Sequence, residues 1–91
     1  METGFYKNLT ASGLVHTGAA QFRKLVVNKP IASGVITIYD GVDTNGTKIG
    51  TITYPATLLN DAPVSLDYFA NCNAGIYIAI TGSVDVTVVY R

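Results

Sequence analysis

The sequence predicts an all-β protein, a single small antiparallel β-sandwich or jelly roll of about eight strands. β-Branched and aromatic residues dominate the apolar runs and alternate with polar residues at a period of two. No stretch of ten or more residues has helical periodicity. Turn residues interrupt the chain at roughly ten-residue spacing, which is typical of sandwiches. The 91 residues fit one domain, residues 1–91.

The first two strands are predicted at residues 4–10 and 14–17. In the first, the side chains of Phe5 and Tyr6 point to opposite faces because successive strand residues alternate. Chain termini are seldom fixed unless they dock on something. Residues 1–10 are therefore also a candidate N-terminal arm that becomes ordered on a neighbouring subunit.

The third predicted strand, residues 22–29, has no unique buried face. Both faces carry apolar residues. One face has Phe22, Lys24 and Val26, and the other has Arg23, Leu25 and Val27. The alternation therefore leaves the buried side open.

The next two strands, residues 34–40 and 47–54, are predicted to form a hairpin in which Ile36 and Ile38 share one face. After them, the segment up to Pro63 is rich in turn residues and predicts a connection, with one helical turn at Leu58–Leu59.

Three strands close the chain, at residues 64–69, 75–81 and 83–91. The last two have the clearest alternation, with one apolar face formed by Ile76, Ile78, Ile80, Val84, Val86, Val88 and Tyr90. Because only Gly82–Ser83 separates them, the sequence predicts a second hairpin.

The turn after the fourth strand contains Asp40, Asp43 and Asn45 and resembles the middle of an EF-hand calcium loop. The match fails because Gly41 occupies one ligand position and an isoleucine stands where the bidentate glutamate should be. We predict a plain turn without a metal, in which the aspartates form Asx-turns and Gly41 and Gly46 adopt positive φ.

His16 and Cys72 are the only conventional base and the only thiol. A Cys–His dyad would make the chain a cysteine hydrolase, but no flanking residue pattern activates the thiol or orients the histidine. No glycine-rich phosphate loop is present. The sequence therefore predicts that the chain is not an enzyme and that it has neither a catalytic residue nor a cofactor. A single cysteine also fits assembly in a reducing cytosol.

Charge excludes two classes of partner. Six basic and six acidic residues give a formal net charge of zero, so neither nucleic acid nor an anionic membrane surface is expected to bind. Neither a signal peptide nor a transmembrane stretch is recognisable. The hydrophobic fraction of 48% with only 13% charged residues is high for so small a chain, which predicts burial against other subunits.

Aromatic side chains are the remaining candidates for recognition. Tyrosines on strands either fill subunit interfaces or present a stacking platform to a glycan. The candidate interface or ligand contacts, drawn from the hairpin turn and the N-terminal strand, are Tyr39, Asp40, Asp43, Asn45, Phe5 and Tyr6.

Three phrases carry a resemblance over nearly the whole chain: "ASGLVHTGAAQFRKLVVNK", "GVITIYDGVDTNGTKIGTI" and "VSLDYFANCNAGIYIAITGSVDVTVVYR". In this order they resemble very short proteins encoded among the structural genes of tailed bacteriophages. The resemblance implies a virion subunit assembled in the host cytoplasm. A capsid decoration (cement) protein is the leading expectation, bound as a homotrimer to the major capsid protein or another virion protein. A host-receptor or glycan-binding module of a fibre or spike is the alternative. The polar segment Asn71–Asn73 has no counterpart in the family pattern.

Overall fold

The computed structural model describes residues 5–58 and 62–91 and has the predicted all-β fold. Eight strands form two four-stranded antiparallel sheets within these residues. Within residues 5–58 and 62–91, no helix could span a membrane. Residues 1–4 of the predicted arm, and Leu59 of the predicted helical turn, lie outside the described part of the chain.

The strands follow the chain in order and are bounded as β1 (Phe5–Leu9), β2 (Gly13–Thr17), β3 (Ala20–Lys29), β4 (Val35–Asp40), β5 (Thr47–Thr53), β6 (Val64–Cys72), β7 (Gly75–Thr81) and β8 (Asp85–Tyr90). Sheet A has the order β1-β8-β3-β6, and sheet B has the order β2-β7-β4-β5.

The pairing of the strands is nested. β1 pairs with β8, β2 with β7, β3 with β6 and β4 with β5, and these pairs alternate between the two sheets. An eight-stranded, two-sheet arrangement with this connectivity is a jelly roll. The edges of the two sheets meet. Lys7 of β1 donates from Nζ to the Leu14 carbonyl oxygen of β2 over 3.0 Å, and Tyr68 of β6 contacts Gly50 of β5.

The two predicted hairpins have different outcomes. The β4–β5 hairpin is confirmed, with Ile36 opposite Ile52 in register. The predicted β7–β8 hairpin is wrong, because β7 lies in sheet B and β8 in sheet A. Gly82, at a φ of 93°, lies in the crossing between the sheets. The apolar faces of β7 and β8 therefore meet across the sandwich instead of lying side by side in one sheet.

The core lies between the sheets and consists of residues that are almost fully buried: Val15, Phe22, Leu25, Val27, Ile36, Ile38, Cys72, Ile76, Ile78, Val84, Val86 and Val88. A β-bulge between Phe22 and Lys24 resolves the ambiguity of the third strand. The extra residue reverses the alternation, so that Phe22, Leu25 and Val27 all point inward. Neither face predicted from simple alternation is the buried one.

Alternating strand directions place the start of β1, the end of β8 and three turns at one end of the sandwich, which we call the terminal end. The β6–β7 turn is tied there to its two neighbours. The amide of Gly18 donates to the Ala74 carbonyl over 2.9 Å, and that of Gly41 donates to the Gly75 carbonyl over 3.1 Å. A Cβ on Gly75 would lie 2.5 Å from the His16 carbonyl oxygen, so the three segments come together only around a glycine.

Candidate functional site

Asp40, a candidate ligand contact, binds the protein's own backbone. It ends β4 at the terminal end, with its carboxylate directed at the β6–β7 turn. One carboxylate oxygen, Oδ1, accepts from the amides of Asn73 at 3.0 Å and Ala74 at 2.9 Å, and Oδ2 lies 3.1 Å from the Asn73 amide. Asp40 therefore joins strand β4 to a turn that belongs to two other strands.

The electrostatics of Asp40 follow from this arrangement. Backbone N–H groups of Ala74, Asn73 and Gly75 stabilise the ionised carboxylate and lower the pKa of Asp40 below the ordinary value of 3.8, against the opposing effect of burial. The position of Asp40 in the turn is thus explained without a metal or a ligand.

The rest of the β4–β5 turn is exposed. Asp43 Oδ1 accepts from the Asn45 amide at 2.9 Å, which is the predicted Asx-turn. The prediction of positive φ at Gly41 and Gly46 is wrong, since the described glycines with positive φ are Gly18, Gly75 and Gly82. Close approach explains the two glycines, because a Cβ on Gly46 would lie 2.6 Å from the Asp40 carbonyl oxygen.

Phe5 and Tyr6 lie on β1, at the edge of sheet A, away from the turn. They are 62% and 76% exposed. The ring centroids of Phe5 and Tyr90 are 5.7 Å apart. The ring centroid of His16 lies 5.4 Å from that of Tyr90. The six candidate contact residues therefore do not form one site: they occupy the turn, the outer face of sheet B and the edge strand of sheet A.

His16 and Cys72 belong to edge strands of different sheets. His16 lies on β2 of sheet B, and Cys72 is the last residue of β6 in sheet A. Cys72 is only 2% exposed, and burial raises the pKa of its thiol, with a further contribution from the Asp40 carboxylate. A buried thiol with a raised pKa has the opposite properties from a catalytic thiolate.

Polar side chains of β1, β8 and β3 form a hydrogen-bonded ladder on the outer surface of sheet A, which the sequence does not predict. Asn8 of β1 and Asn28 of β3 both donate to Asp85 Oδ1 on β8, over 2.6 and 3.1 Å. Both also donate to the Thr87 hydroxyl oxygen, over 3.3 and 2.9 Å. The two amides lower the pKa of Asp85. No sequence signal could reveal this ladder, because it depends on the order of three strands distant in the chain.

Phe69 has an unusual backbone conformation that the sequence pattern does not predict. It has a φ of 52° in an irregular part of β6, is 54% exposed, and carries the Arg23 guanidinium 5.6 Å above its ring. A bulky residue in the left-handed region is rare and costs energy. Strand β6 was predicted to end at residue 69 but continues to Cys72, beyond this irregularity.

The outer surfaces of the two sheets differ in charge. On sheet A, opposite charges face each other in register, Lys24 beside Asp67 and Lys29 beside Asp85. The outer surface of sheet B is nearly uncharged. We call it the B face and define it by the outward side chains of Leu14, Val35, Thr37, Tyr39, Tyr77 and Ala79, with Lys48 at its margin.

The centre of the B face comes from the two middle strands, β4 and β7. Tyr39 and Tyr77 are paired in register, with ring centroids 6.4 Å apart and a 53° angle between the ring planes. Leu14 lies beside Tyr77 on one edge strand, and Lys48 lies beside Tyr39 on the other. Tyr39, unlike Asp40, therefore belongs to an open surface.

No family model, curated protein or solved structure matches this chain. Among residues 5–58 and 62–91 there is no pocket, and no group of three His, Cys, Asp or Glu residues could hold a metal ion. The features described here are therefore faces, edges and turns of the sandwich.

Proposed function

We propose that this chain is a non-enzymatic structural subunit of a bacteriophage particle, a capsid decoration or stabilising protein that acts through interfaces. The observation that carries the proposal is the B face, a nearly uncharged surface on a small chain whose other sheet carries Lys24, Lys29, Asp67 and Asp85. Surfaces depleted of charge and enriched in tyrosine are typical of the buried parts of protein interfaces.

Two further arguments support the virion context. The sequence phrases resemble small proteins from the structural genes of tailed phages, and the jelly-roll connectivity is one that viral capsid subunits use. A subunit repeated over a symmetric shell needs only weak contacts at each site, because many simultaneous contacts add through multivalency.

The proposed partners are further copies of this chain and the major capsid protein or another virion protein. Binding would proceed by burial of apolar area and by hydrogen bonds from tyrosine and threonine hydroxyls, without a charged steering surface. The buried Cys72 thiol supports a role without covalent chemistry.

A glycan-binding module of a fibre or spike is the second candidate, favoured by one observation. Tyr39 and Tyr77 lie side by side at the terminal end, near the exposed Asp43 and Asn45. Aromatic rings with nearby polar groups can bind a sugar without charge. The 53° angle between the rings gives two separate stacking surfaces in place of one flat platform.

The test is the copy number and location of the chain in purified particles, by quantitative mass spectrometry followed by cryo-electron microscopy. We expect many ordered copies on the shell, and removal of the chain should lower the temperature at which particles release DNA. A few copies at a tail or fibre tip, with binding to host cells, would support the glycan-binding alternative. Complete absence from the particle would refute both.

A further inference from the structure

We infer that the B face docks on the B face of a second copy of this chain, giving a dimer related by a two-fold axis. This inference rests on the proposed function and deepens it by naming one partner and its surface. A two-fold interface brings the same patch of both copies together, so each patch must complement itself.

Charge favours self-docking of this face. Lys48 is the single charged side chain in the definition of the B face, and it stands on the edge strand β5. A two-fold axis along the strands places β5 of one copy over β2 of the other. The two Lys48 side chains are then separated by about three strand spacings, roughly 14 Å, which exceeds the screening length of about 8 Å at physiological salt.

The charges of sheet A make its outer surface a poorer candidate. Lys24 and Asp67 are register neighbours, as are Lys29 and Asp85, and the Asp85 carboxylate accepts from Asn8 and Asn28. Stacking this surface on itself would remove water from these four charged side chains. Desolvating such groups is costly unless each finds a new partner.

The B face is also large enough. The molecule measures 37 × 34 × 17 Å, so both long dimensions lie along the broad faces of the sandwich. A stable interface needs about 800 Å² from each partner. That is a modest part of the 5153 Å² accessible surface of one copy, and a broad face with these dimensions can supply it.

The side chains suit stacking of one sheet on another. Tyr39 and Tyr77 supply rigid apolar area with a polar hydroxyl, and Thr37 and Ala79, opposite each other in register, are small enough for close approach. Two sheets packed face to face lie about 10 Å apart. The pair of sheets B would then become the buried centre of the dimer.

The experiment measures the mass of the full chain in solution by light scattering and sedimentation over a range of concentrations. We expect a dimer of the 9.6 kDa chain. Thr37→Lys places two new cations in the stacked face and should give a folded monomer. Ala79→Lys, on the neighbouring strand, is the second variant if Thr37→Lys does not fold.

Val26→Lys is the matched control. Val26 lies on β3, a middle strand of sheet A, with Thr87 and Ser65 beside it, so its substitution should leave the dimer intact. Three results would overturn the inference. They are a wild-type monomer, a trimer such as the resemblance implies, and a dimer that Val26→Lys dissociates but the B-face variants do not. A monomer that still decorates particles would refute this inference alone. A B-face dimer absent from particles would refute only the virion function.

Discussion

The carboxylate of Asp40 lies within hydrogen-bonding distance of the Asn73 amide through both oxygens, at 3.0 and 3.1 Å, although the two residues are 33 positions apart. This contact closes the terminal end of the sandwich by joining β4 to the β6–β7 turn.

Replacing Asp40 should destabilise the fold. We expect Asp40→Asn to lower the free energy of unfolding by about 1 kcal/mol, since charge-assisted bonds to two amides are replaced by weaker ones. Asp43→Asn is the control, because an asparagine keeps the Asx-turn to the Asn45 amide. Urea unfolding of both variants measures the difference. Equal stabilities for the two variants would mean that the Asp40 contact adds nothing.

The Asp40 contribution should depend on pH. Its pKa in the folded state lies below 3.8, so the stabilisation is fully present above the unfolded-state value of about 3.9 and is lost as the pH falls through the folded-state pKa. The stability gap between wild type and Asp40→Asn should therefore be constant from neutral pH to about pH 5 and shrink below pH 4. Unfolding curves at several pH values measure it. A gap that grew on acidification would contradict the proposed contact.

An added side chain at Gly50 should destabilise the fold slightly. An added Cβ would lie 3.0 Å from the Tyr68 hydroxyl oxygen, and the Tyr68 ring is held against Phe22 with centroids 5.1 Å apart. Overpacking costs about 1–3 kcal/mol, partly offset by the lower unfolded-state entropy of alanine. We expect Gly50→Ala to lower the free energy of unfolding by about 1 kcal/mol.

A double-mutant cycle tests the cause of the Gly50→Ala effect. Tyr68→Phe removes the atom nearest to the new methyl group, so the double variant should lose less than the sum of the two single losses. Strict additivity would show that the methyl group and the hydroxyl do not interact.

Phe69 should contribute little to folding. Phe69→Gly relieves a left-handed conformation that costs about 1–2 kcal/mol and loses a contact with Arg23 worth about 0.5–1 kcal/mol. The net change in unfolding free energy should be below about 1 kcal/mol, against a loss of about 3–5 kcal/mol for the buried control Phe22→Ala. Thermal and urea unfolding measure both. A large loss at Phe69 would assign this residue a structural role.

Cys72 should be unreactive in the folded protein. Its thiol is buried and has a raised pKa, so alkylation at neutral pH should be slow until the chain is unfolded in urea. Mass spectrometry of iodoacetamide-treated protein gives both rates. Rapid labelling of the native chain, together with an activity lost in Cys72→Ala, would revive the hydrolase alternative.

Strands β7, β8 and β3 show which features a local pattern predicts and which it does not. The inward positions of β7 and β8, such as Ile78 and Val86, were predicted correctly because alternation is a property of neighbouring residues. The pairing of these strands was predicted wrongly, because a two-residue connection fits a hairpin as well as a crossing between sheets. For β3, the bulge beside Phe22 changed the buried face, and an extra residue leaves no mark in the pattern.

The all-β class, the approximate positions of eight strands and most of the core could be predicted from the amino-acid pattern, because burial at alternate positions is encoded locally. The three-dimensional fold was needed to establish which strands share a sheet, which face of β3 is buried, what Asp40 binds and where the uncharged B face lies. Each of these depends on register and on contacts between residues far apart in the chain, and a local pattern carries no information about either.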